Sequence, residues 1–290
     1  MKVAVFGATG VVGRALLPLL VDQHEVIGLS RQPRTSEGGI RWLQADVSSG
    51  EDVAAALEGV EVAYYLVHSL GSHDFERRDR DAATILAAQA EREGVRQIVY
   101  LGGLGTDDSD ASAHLRSRRE TGELLARGAV PVTTLRAAMI VGRGSAAFET
   151  IRALVERLPV MITPAWVSTP TQPIALPDIA RYLAGVCGEQ RCLGEAYDAG
   201  GPDVMTYRQM IERIARLQGR RIPILEVPVL TPRLSSLWLN LVTPVEASVA
   251  RPLVEGLRSA TIAREERIRE LVPFELTAFD DAARDALGHD

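Results

Sequence analysis

The sequence predicts an α/β fold in which a doubly wound parallel sheet is followed by a smaller C-terminal lobe. Over the first 140 residues, short β-rich runs alternate with helical patterns, which is typical of βαβ units with right-handed crossovers. A glycine-rich turn, Gly7–Gly13, separates the first strand pattern from the first helix pattern. After residue 140 prolines interrupt the alternation. These observations favour a Rossmann-type sheet over residues 1–145 and an integrated lobe over residues 146–290 that covers the strand ends.

The strands of the first half are predicted over short apolar segments. They are Val3–Phe6, Val26–Ser30, Ile40–Leu43, Val62–Val67, Gln97–Leu101 and Val132–Leu135. Helices are predicted over Val11–Val21, Glu51–Glu58, Phe75–Glu93 and Ser112–Arg127. Pro18 removes a backbone donor inside the first helix, but the apolar pattern continues beyond it. Gly94 and Gly128 follow two of the helices and suit their C-caps.

The second half is predicted as a proline-punctuated lobe with short helices at Asp178–Cys187 and Tyr207–Leu217. An apolar stretch, Ile222–Leu257, and a charged run at Arg264–Glu270 follow. No run approaches the length of about 18 apolar residues that a membrane span needs. We therefore expect no membrane span.

Composition points to an ordinary globular protein. The 290 residues are 46% hydrophobic and 24% charged, with a net charge of −6, which argues against nucleic acid or an anionic membrane as a partner. The start of the chain lacks the basic and long apolar regions of a signal peptide. The two cysteines, Cys187 and Cys192, are interpreted as reduced. We expect a cytoplasmic protein, a monomer or a weak homodimer, acting on a small molecule.

The turn Gly7-Ala8-Thr9-Gly10-Val11-Val12-Gly13 has the glycine spacing of a dinucleotide-binding loop. Gly7 permits the tight turn, Gly10 lets the backbone approach a pyrophosphate, and Gly13 allows close helix–sheet packing. Phosphates would lie at the helix N-terminus, where free N–H groups and the helix dipole favour an anion. The alternative is a glycine-rich turn without a ligand, but its place between strand and helix favours the binding loop.

The end of the second strand favours NADP(H) over NAD(H). An NAD site usually places a carboxylate there, to bind the ribose 2′-hydroxyl. This chain instead has Ser30 and Arg31, with Arg34 three residues on. Arginine suits a 2′-phosphate because its forked donors are permanently charged. The alternative is two solvated surface arginines in an arginine-rich chain.

The glycine loop, Ala45-Asp46-Val47, Tyr64–Ser69 and Leu101–Gly105 together resemble the atypical branch of the short-chain dehydrogenase/reductase superfamily. The strings YYLVHSLG, IVYLGGLG and HLRSR are similar to those of bacterial NAD(P)H-binding proteins, and so are LPVMITPAWV, TQPIA and VLTPRLSSLWLNLVTP. The likeness runs from residue 1 to about residue 257. More distant similarity is to NmrA-like redox sensors and to the NADPH-binding accessory subunit of respiratory complex I.

The resemblance implies particular cofactor contacts. Asp46 and Val47 would border the adenine, with the Asp46 carboxylate accepting from its amine. Leu66, Val67 and His68 would line the adenosine ribose and pyrophosphate side. Leu101, Gly102 and Gly103 would pass beneath the nicotinamide ribose. These positions agree with the general rule that open parallel sheets bind ligands at the carboxyl ends of their strands.

The chain departs from the superfamily's Ser, Tyr and Tyr-x-x-x-Lys pattern. Lys2 is its only lysine, Gly102-Gly103 stands where the serine would lie, and His114 and Arg118 replace the tyrosine and lysine. Residues four apart share one helix face. A histidine can give or take a proton near neutrality, and Arg118 would bind the nicotinamide ribose and stabilise developing negative charge. Alternatively both residues only bind the cofactor.

Two functions follow. The first is an NADPH-dependent oxidoreductase that reduces a small, fairly apolar carbonyl or enone compound. The second is a non-catalytic NADP(H)-binding protein that senses redox state or stabilises a partner. Missing Ser-Tyr-Lys chemistry favours the second, whereas a proton donor at His114 and a separate apolar lobe favour the first. No histidine or cysteine spacing indicates a metal site.

Overall fold

The helices and strands alternate along the first half of the chain as expected. The computed structural model describes residues 1–68, 74–105, 112–227 and 259–288, with the side chains of 164–166 and 227 left aside. The strands are β1 Lys2–Phe6, β2 Glu25–Ser30, β3 Ile40–Gln44, β4 Val62–Tyr65, β5 Gln97–Gly103, β6 Val132–Ala137, β7 Ile140–Val141, β8 Met161–Pro164, β9 Pro170–Thr171, β10 Ile174–Ala175, β11 Ala196–Ala199, β12 Met205–Thr206 and β13 Ile224–Val227. The helices are α1 Val11–Val21, α2 Gly50–Leu57, α3 Phe75–Arg92, α4 Ala113–Leu125, α5 Ala146–Arg157, α6 Leu176–Gly185, α7 Tyr207–Leu217, α8 Arg267–Leu271 and α9 Phe279–Leu287.

Seven parallel strands form the main sheet, in the order β3-β2-β1-β4-β5-β6-β11. The chain moves outward from β1 to β3 and then crosses back to β4, so the strand order reverses between β1 and β4. In open α/β sheets this reversal opens a crevice at the carboxyl ends of the strands, where ligands bind. The predicted fold class is confirmed.

Helices cover both faces of the sheet. On one face, α1 and α6 pack against alternate residues of the strands, among them the fully buried Tyr64. On the other face, α2 and α3 pack against the intervening residues, among them Tyr65. A third core belongs to the lobe and joins α5, α7 and α9 around Phe148.

The second half of the chain supplies elements that the sequence did not reveal, and β11 and α5 are two of them. The strand β11 holds only four residues with a buried aspartate, Asp198, among them, so it lacks the apolar run that marks the other strands. Helix α5 lies in a segment for which the sequence predicted no element. Residues of α6, β11 and α8 enter the core of the main sheet. The division at residue 145 stays a prediction.

Predictions made from single prolines and glycines were right at some positions and wrong at others. Helix α1 runs through Pro18, which lies on its exposed side. Gly94 has the left-handed conformation of a C-cap, with φ of 72°, whereas Gly128 does not have a positive φ and is not such a cap. Most of the apolar stretch Ile222–Leu257 lies outside the described residues. Within those residues, no helix combines the length and apolar character needed to cross a bilayer.

Neighbouring tyrosines of β4 offer a test of how the second half is held to the sheet. The Tyr64 hydroxyl donates to the Leu183 carbonyl oxygen of α6 at 2.8 Å. Tyr64→Phe removes this donor inside the core, so we expect a loss of about 1–3 kcal/mol in the free energy of unfolding, measured by urea denaturation. The control is Tyr65→Phe, because the buried Tyr65 hydroxyl has no hydrogen-bond partner in the described structure and should cost little. Equal losses in both variants would contradict this account.

Candidate cofactor and active site

The glycine loop lies at the crevice between β1 and β4. Gly7 has a φ of +89°, and a Cβ there would come within 2.8 Å of the Leu66 backbone. Gly7 therefore serves two purposes, a left-handed turn and close approach to the chain leaving β4. The Gly10 N–H donates to the Gly7 carbonyl oxygen at 2.9 Å and closes the turn.

The start of α1 has the character of an anion-binding site. Gly10 is its N-cap, no side chain caps the helix, and its first turn holds no acidic residue. The first backbone N–H groups are therefore without a competing carboxylate, and the helix dipole favours negative charge there. A Cβ on Gly10 would come 3.2 Å from the Gly7 oxygen, on a loop surface that is otherwise open. These residues fit a pyrophosphate.

The rest of the loop packs inward. A Cβ on Gly13 would come 2.4 Å from the Gly7 oxygen and 2.7 Å from the Ala8 Cα, so Gly13 lets the helix lie against the loop. The sequence assigned Gly13 to helix–sheet packing, whereas the close contact is with the loop itself. Ala8 is fully buried, Thr9 and Val11 are half-buried, and Val12 packs on the core below α1.

Two exposed arginines follow β2. Ser30 is buried, and its hydroxyl accepts from the Gln32 N–H at 3.2 Å. The Arg34 guanidinium lies 5.1 Å from the centre of the Trp42 ring, a stacking that orients it over β3. Arg31 is exposed, and its carbonyl oxygen accepts from the Gln44 amide at 3.2 Å. Both side chains are therefore available to an anion beyond the strand end.

Asp46 lies after β3, close to Arg31. One oxygen of its carboxylate accepts from the Ser48 N–H and hydroxyl, at 2.9 and 2.7 Å. These hydrogen bonds, with the positive charge of Arg31 contributing less, hold the pKa of Asp46 below its ordinary value. Val47 is half-buried beside it and packs on the α2 side of the sheet. An adenine contact to Asp46 stays a prediction.

The carboxyl ends of β4 and β5 bring several predicted residues together. The Leu66 N–H donates to the Phe6 oxygen at 2.9 Å, so the chain stays beside β1 past the end of β4. Leu101 is buried, and Gly102 and Gly103 are half-buried at the end of β5. A Cβ on Gly102 would make only ordinary contacts of 3.4–3.8 Å. The absence of a serine there is therefore a chemical difference and not a steric necessity.

A chain of three side chains joins α3, the end of β4 and α4. Asp79 Oδ2 lies 2.7 Å from His68 Nδ1, and His68 Nε2 lies 2.9 Å from His114 Nδ1. The side chain of Asp79 is 3% exposed and that of His68 is 17% exposed. The Ser117 hydroxyl also donates to Asp79 Oδ2, at 3.3 Å. Two histidines that are 46 residues apart in sequence thus form one hydrogen-bonded unit with a buried carboxylate.

Asp79 was missed by the sequence analysis, although a signal existed. It lies on the buried stripe of α3 with Ala82, Ala83 and Leu86, at helical spacings of three, four and seven. A carboxylate on an apolar stripe needs a partner, because burying an unpaired charge is costly. The partner was hidden since His68 lies on a different element and becomes a neighbour only in the fold.

Arg118 lies beside this unit on the same face of α4 as His114. Its guanidinium stacks 4.9 Å from the centre of the Tyr100 ring, and Nη1 donates to the Val67 carbonyl oxygen at 3.4 Å. The Tyr100 hydroxyl in turn donates to the Arg118 carbonyl oxygen at 2.7 Å. These contacts hold a positive charge at the strand ends, next to the two histidines.

The surroundings disfavour charge on either imidazole. Burial lowers the pKa of His68, with the Asp79 hydrogen bond opposing that effect. Burial lowers the pKa of His114 well below its usual value, and the charges of His68 and Arg118 lower it further. With lowered pKa values, both rings are mostly neutral at pH 7.

From the sequence, Trp166, Phe148 and Trp238 are candidates for the wall of an apolar substrate pocket, although aromatic residues more often fill a core. Phe148 is fully buried in the lobe core, so it fills that core and does not line a surface. The side chain of Trp166 and all of Trp238 lie outside the described part of the chain. In the segments that the structure describes, no group of three or more His, Cys, Asp or Glu side chains is placed to hold a metal ion.

Comparison with known proteins finds similarity in the first half of the chain and beyond it. The family model described as NAD(P)H-binding matches residues 7–140. A reductase of Streptomyces griseus, (4-alkanoyl-5-oxo-2,5-dihydrofuran-3-yl)methyl phosphate reductase, is 27% identical over 238 residues, covering 78% of this chain and 77% of that protein. The mitochondrial NADH dehydrogenase (ubiquinone) 1 alpha subcomplex subunit 9 of Arabidopsis thaliana is 24% identical over 223 residues, covering 72% of this chain and 56% of that protein.

Solved structures agree on the fold. An NADPH-dependent quinone oxidoreductase of Escherichia coli, solved with NADPH, superposes with a TM-score of 0.79 at 19% identity, covering 99% of this chain and 100% of that one. Residues 7–140 match a family model of NAD(P)H-binding domains, and a reductase and a complex I subunit are among the proteins similar to this chain. The resemblance found in the sequence is confirmed at this level.

The role of Gly10 can be tested with little disturbance of the turn, because a Cβ there would require the Gly7 carbonyl group to shift by only a few tenths of an ångström. Its φ of −72° suits any residue, so Gly10→Ala should fold while its methyl group occupies the surface that a pyrophosphate approaches. We expect NADPH affinity to fall at least about tenfold, a loss near 1.4 kcal/mol, by calorimetry. Gly50→Ala, at the start of α2, is the matched control. Unchanged NADPH affinity in folded Gly10→Ala would place the pyrophosphate elsewhere.

Proposed function

We propose that this protein is an NADPH-dependent reductase of small, fairly apolar carbonyl or enone compounds. The observation that carries the proposal is the pairing of His114 and Arg118 on one face of α4, beside the carboxyl ends of β4 and β5. A group that titrates and a fixed positive charge stand together where the crevice of a parallel sheet opens. The reductase among the homologues supports the same class of reaction.

The cofactor preference rests on the end of β2. Neither Ser30 nor Arg31 offers a carboxylate to a ribose 2′-hydroxyl, and two exposed arginines follow the strand. Arg34 is oriented by its stacking on Trp42. The pKa of Asp46 is lowered mainly by hydrogen bonds from Ser48, and the nearby positive charge of Arg31 lowers it further. A 2′-phosphate placed here would meet two cations, so NADP(H) is favoured over NAD(H).

When bound, the nicotinamide cofactor supplies a hydride to the electrophilic carbon of the substrate. His114 then supplies the proton that the resulting oxyanion or enolate needs, through its ring nitrogen Nε2. Arg118 stabilises the negative charge that develops on the way and holds the cofactor ribose. Of the two side chains, the histidine is the one that can give up a proton near neutrality.

The competing function is cofactor binding without catalysis. The chain lacks Ser-Tyr-Lys, and one of its homologues is named as a subunit of NADH dehydrogenase. In this function the same two residues hold the cofactor and no substrate is turned over. NADPH consumption across a panel of carbonyl and enone compounds, beside direct binding measurements, separates the two functions.

Arg31 tests the cofactor preference. Arg31→Ala should weaken NADPH binding by about 1.5–3 kcal/mol, the range for a hydrogen bond to a charged group, while NADH binding stays the same. Calorimetric titration of both cofactors measures this, and Arg127→Ala, at an exposed arginine just past the C-terminal end of α4, is the control. Equal wild-type affinities for NADPH and NADH would refute the preference.

His114 tests the reductase. His114→Phe should leave NADPH affinity nearly intact while turnover of a panel substrate falls about 10²–10⁴-fold, the usual contribution of a general acid. Arg118→Met should weaken both turnover and NADPH binding, whereas Arg119→Met, one residue further round the helix, should change neither. Full turnover by His114→Phe would mean that the proton has another source. Tight NADPH binding with no substrate reduced would favour the binding-only function.

A further inference from the structure

We propose that Asp79 and His68 are positioning residues of a proton relay, which can take up one added proton behind His114 and fixes which of its ring nitrogens carries a hydrogen. The inference rests on the proposed function for its use in turnover, but the hydrogen-bond order that it asserts belongs to the protein alone. Two contacts and one burial carry it: the Asp79–His68 bond, the His68–His114 bond and the burial of Asp79 beneath them.

The order of donors and acceptors follows from the carboxylate. Asp79 Oδ2, 2.7 Å from His68 Nδ1, can only accept when it is ionised, so His68 carries its hydrogen on Nδ1. In a neutral His68 the other nitrogen, Nε2, is then an acceptor. His114 Nδ1 lies 2.9 Å away and must donate to it. A neutral His114 is thereby left with an unprotonated Nε2.

That free nitrogen is the one available to a ligand. No hydrogen bond to His114 Nε2 is found in the described residues, and His114 retains partial exposure. With no extra proton, the relay therefore presents a base. With one extra proton, the relay presents an acid at the same nitrogen, His114 Nε2.

One added proton can be accommodated without placing the positive charge on His114. His68 then carries hydrogens on both nitrogens and is an imidazolium facing the Asp79 carboxylate, while His114 is neutral with its hydrogen on Nε2. The His114 Nε2–H bond breaks as the proton passes to the substrate oxygen. His114 Nδ1 takes a hydrogen from His68 Nε2, and both rings end neutral. Solvent returns one proton after each turnover, and the cofactor supplies the two electrons as hydride.

The charges around the pair explain why a carboxylate is needed. Arg118 of α4 lies next to both rings and disfavours an added positive charge. Burial raises the pKa of the Tyr65 and Tyr100 phenols, from β4 and β5, so they stay uncharged. Arg80 and Glu120 pair with each other on the exposed side of α3 and α4. Among the described groups, Asp79 is the buried negative charge in contact with the pair.

The first experiment reads the hydrogen order directly in the full-length protein. Long-range ¹H–¹⁵N NMR distinguishes the two neutral forms of each imidazole, and the variants H68Q and H114Q assign the signals among the five histidines. At neutral pH we expect the Nδ1–H form for both His68 and His114, with and without NADPH. An Nε2–H form of neutral His114 would overturn the relay. This measurement needs no substrate and no folded Asp79 variant.

The second experiment tests the added proton. Asp79→Asn removes the negative charge, so the pKa values of both rings should fall further. Turnover that needs the protonated relay is lost as the pH rises through the pKa of the relay. In Asp79→Asn this fall in turnover should occur at a pH lower by about one unit or more. At pH values above the pKa, each further pH unit lowers turnover about tenfold. Asp81→Asn, which makes the same change of charge at an exposed position of α3, should keep the wild-type pH profile.

The two results separate the proposals. An Nδ1–H order without turnover of any panel compound supports the hydrogen-bond order and defeats the reductase. Turnover with an unshifted pH profile in Asp79→Asn keeps the reductase and defeats the relay. NADPH affinity, measured in every variant, is expected to stay within about twofold of wild type in Asp79→Asn, since Asp79 is buried beneath the site.

Discussion

The parallel course of the seven strands is the constraint on which the site depends. Because all strands point the same way, their carboxyl ends share one edge of the sheet, and every loop after a strand opens there. Residues from β1, β2, β4 and β5 thus converge although more than 90 residues separate them in sequence. The reversal of strand order between β1 and β4 opens a crevice at this edge. Because Gly7 has no side chain, the segment after β1 can lie against the backbone of Leu66, just after β4.

A buried carboxylate at that edge then sets the chemistry. Asp79 on α3 determines which ring nitrogen of His68 carries a hydrogen, and His68 does the same for His114. Arg118, held by Tyr100 and Val67, supplies the opposing positive charge. The region combines one fixed cation with one fixed anion around two rings that titrate. Such an arrangement can present a base or an acid at the same nitrogen, which the sequence pattern His114-x-x-x-Arg118 does not reveal.

Periodicity and glycine spacing were enough to predict the sheet, the glycine turn between β1 and α1 and the shared face of His114 and Arg118, because these depend on near neighbours in the chain. They failed at β11, where four residues with a central aspartate carry no strand pattern. They failed also at Asp79, which could be recognised only through a partner on another element. The sequence does not show which residues from different elements pair in the fold. A polar residue on an apolar stripe indicates that a buried partner is needed, but not which residue that partner is.

The seventh strand has a consequence for how the chain is assembled. β6 is bordered on its outer side by β11, whose residues come about sixty positions later, and β11 in turn contacts α8 near the end of the chain. A nascent chain that has emerged only as far as β6 presents an open row of N–H and carbonyl groups along an apolar sheet. Such edges invite pairing with other chains. The open edge of β6 is therefore covered late in synthesis, and a truncated product that lacks β11 would be prone to self-association.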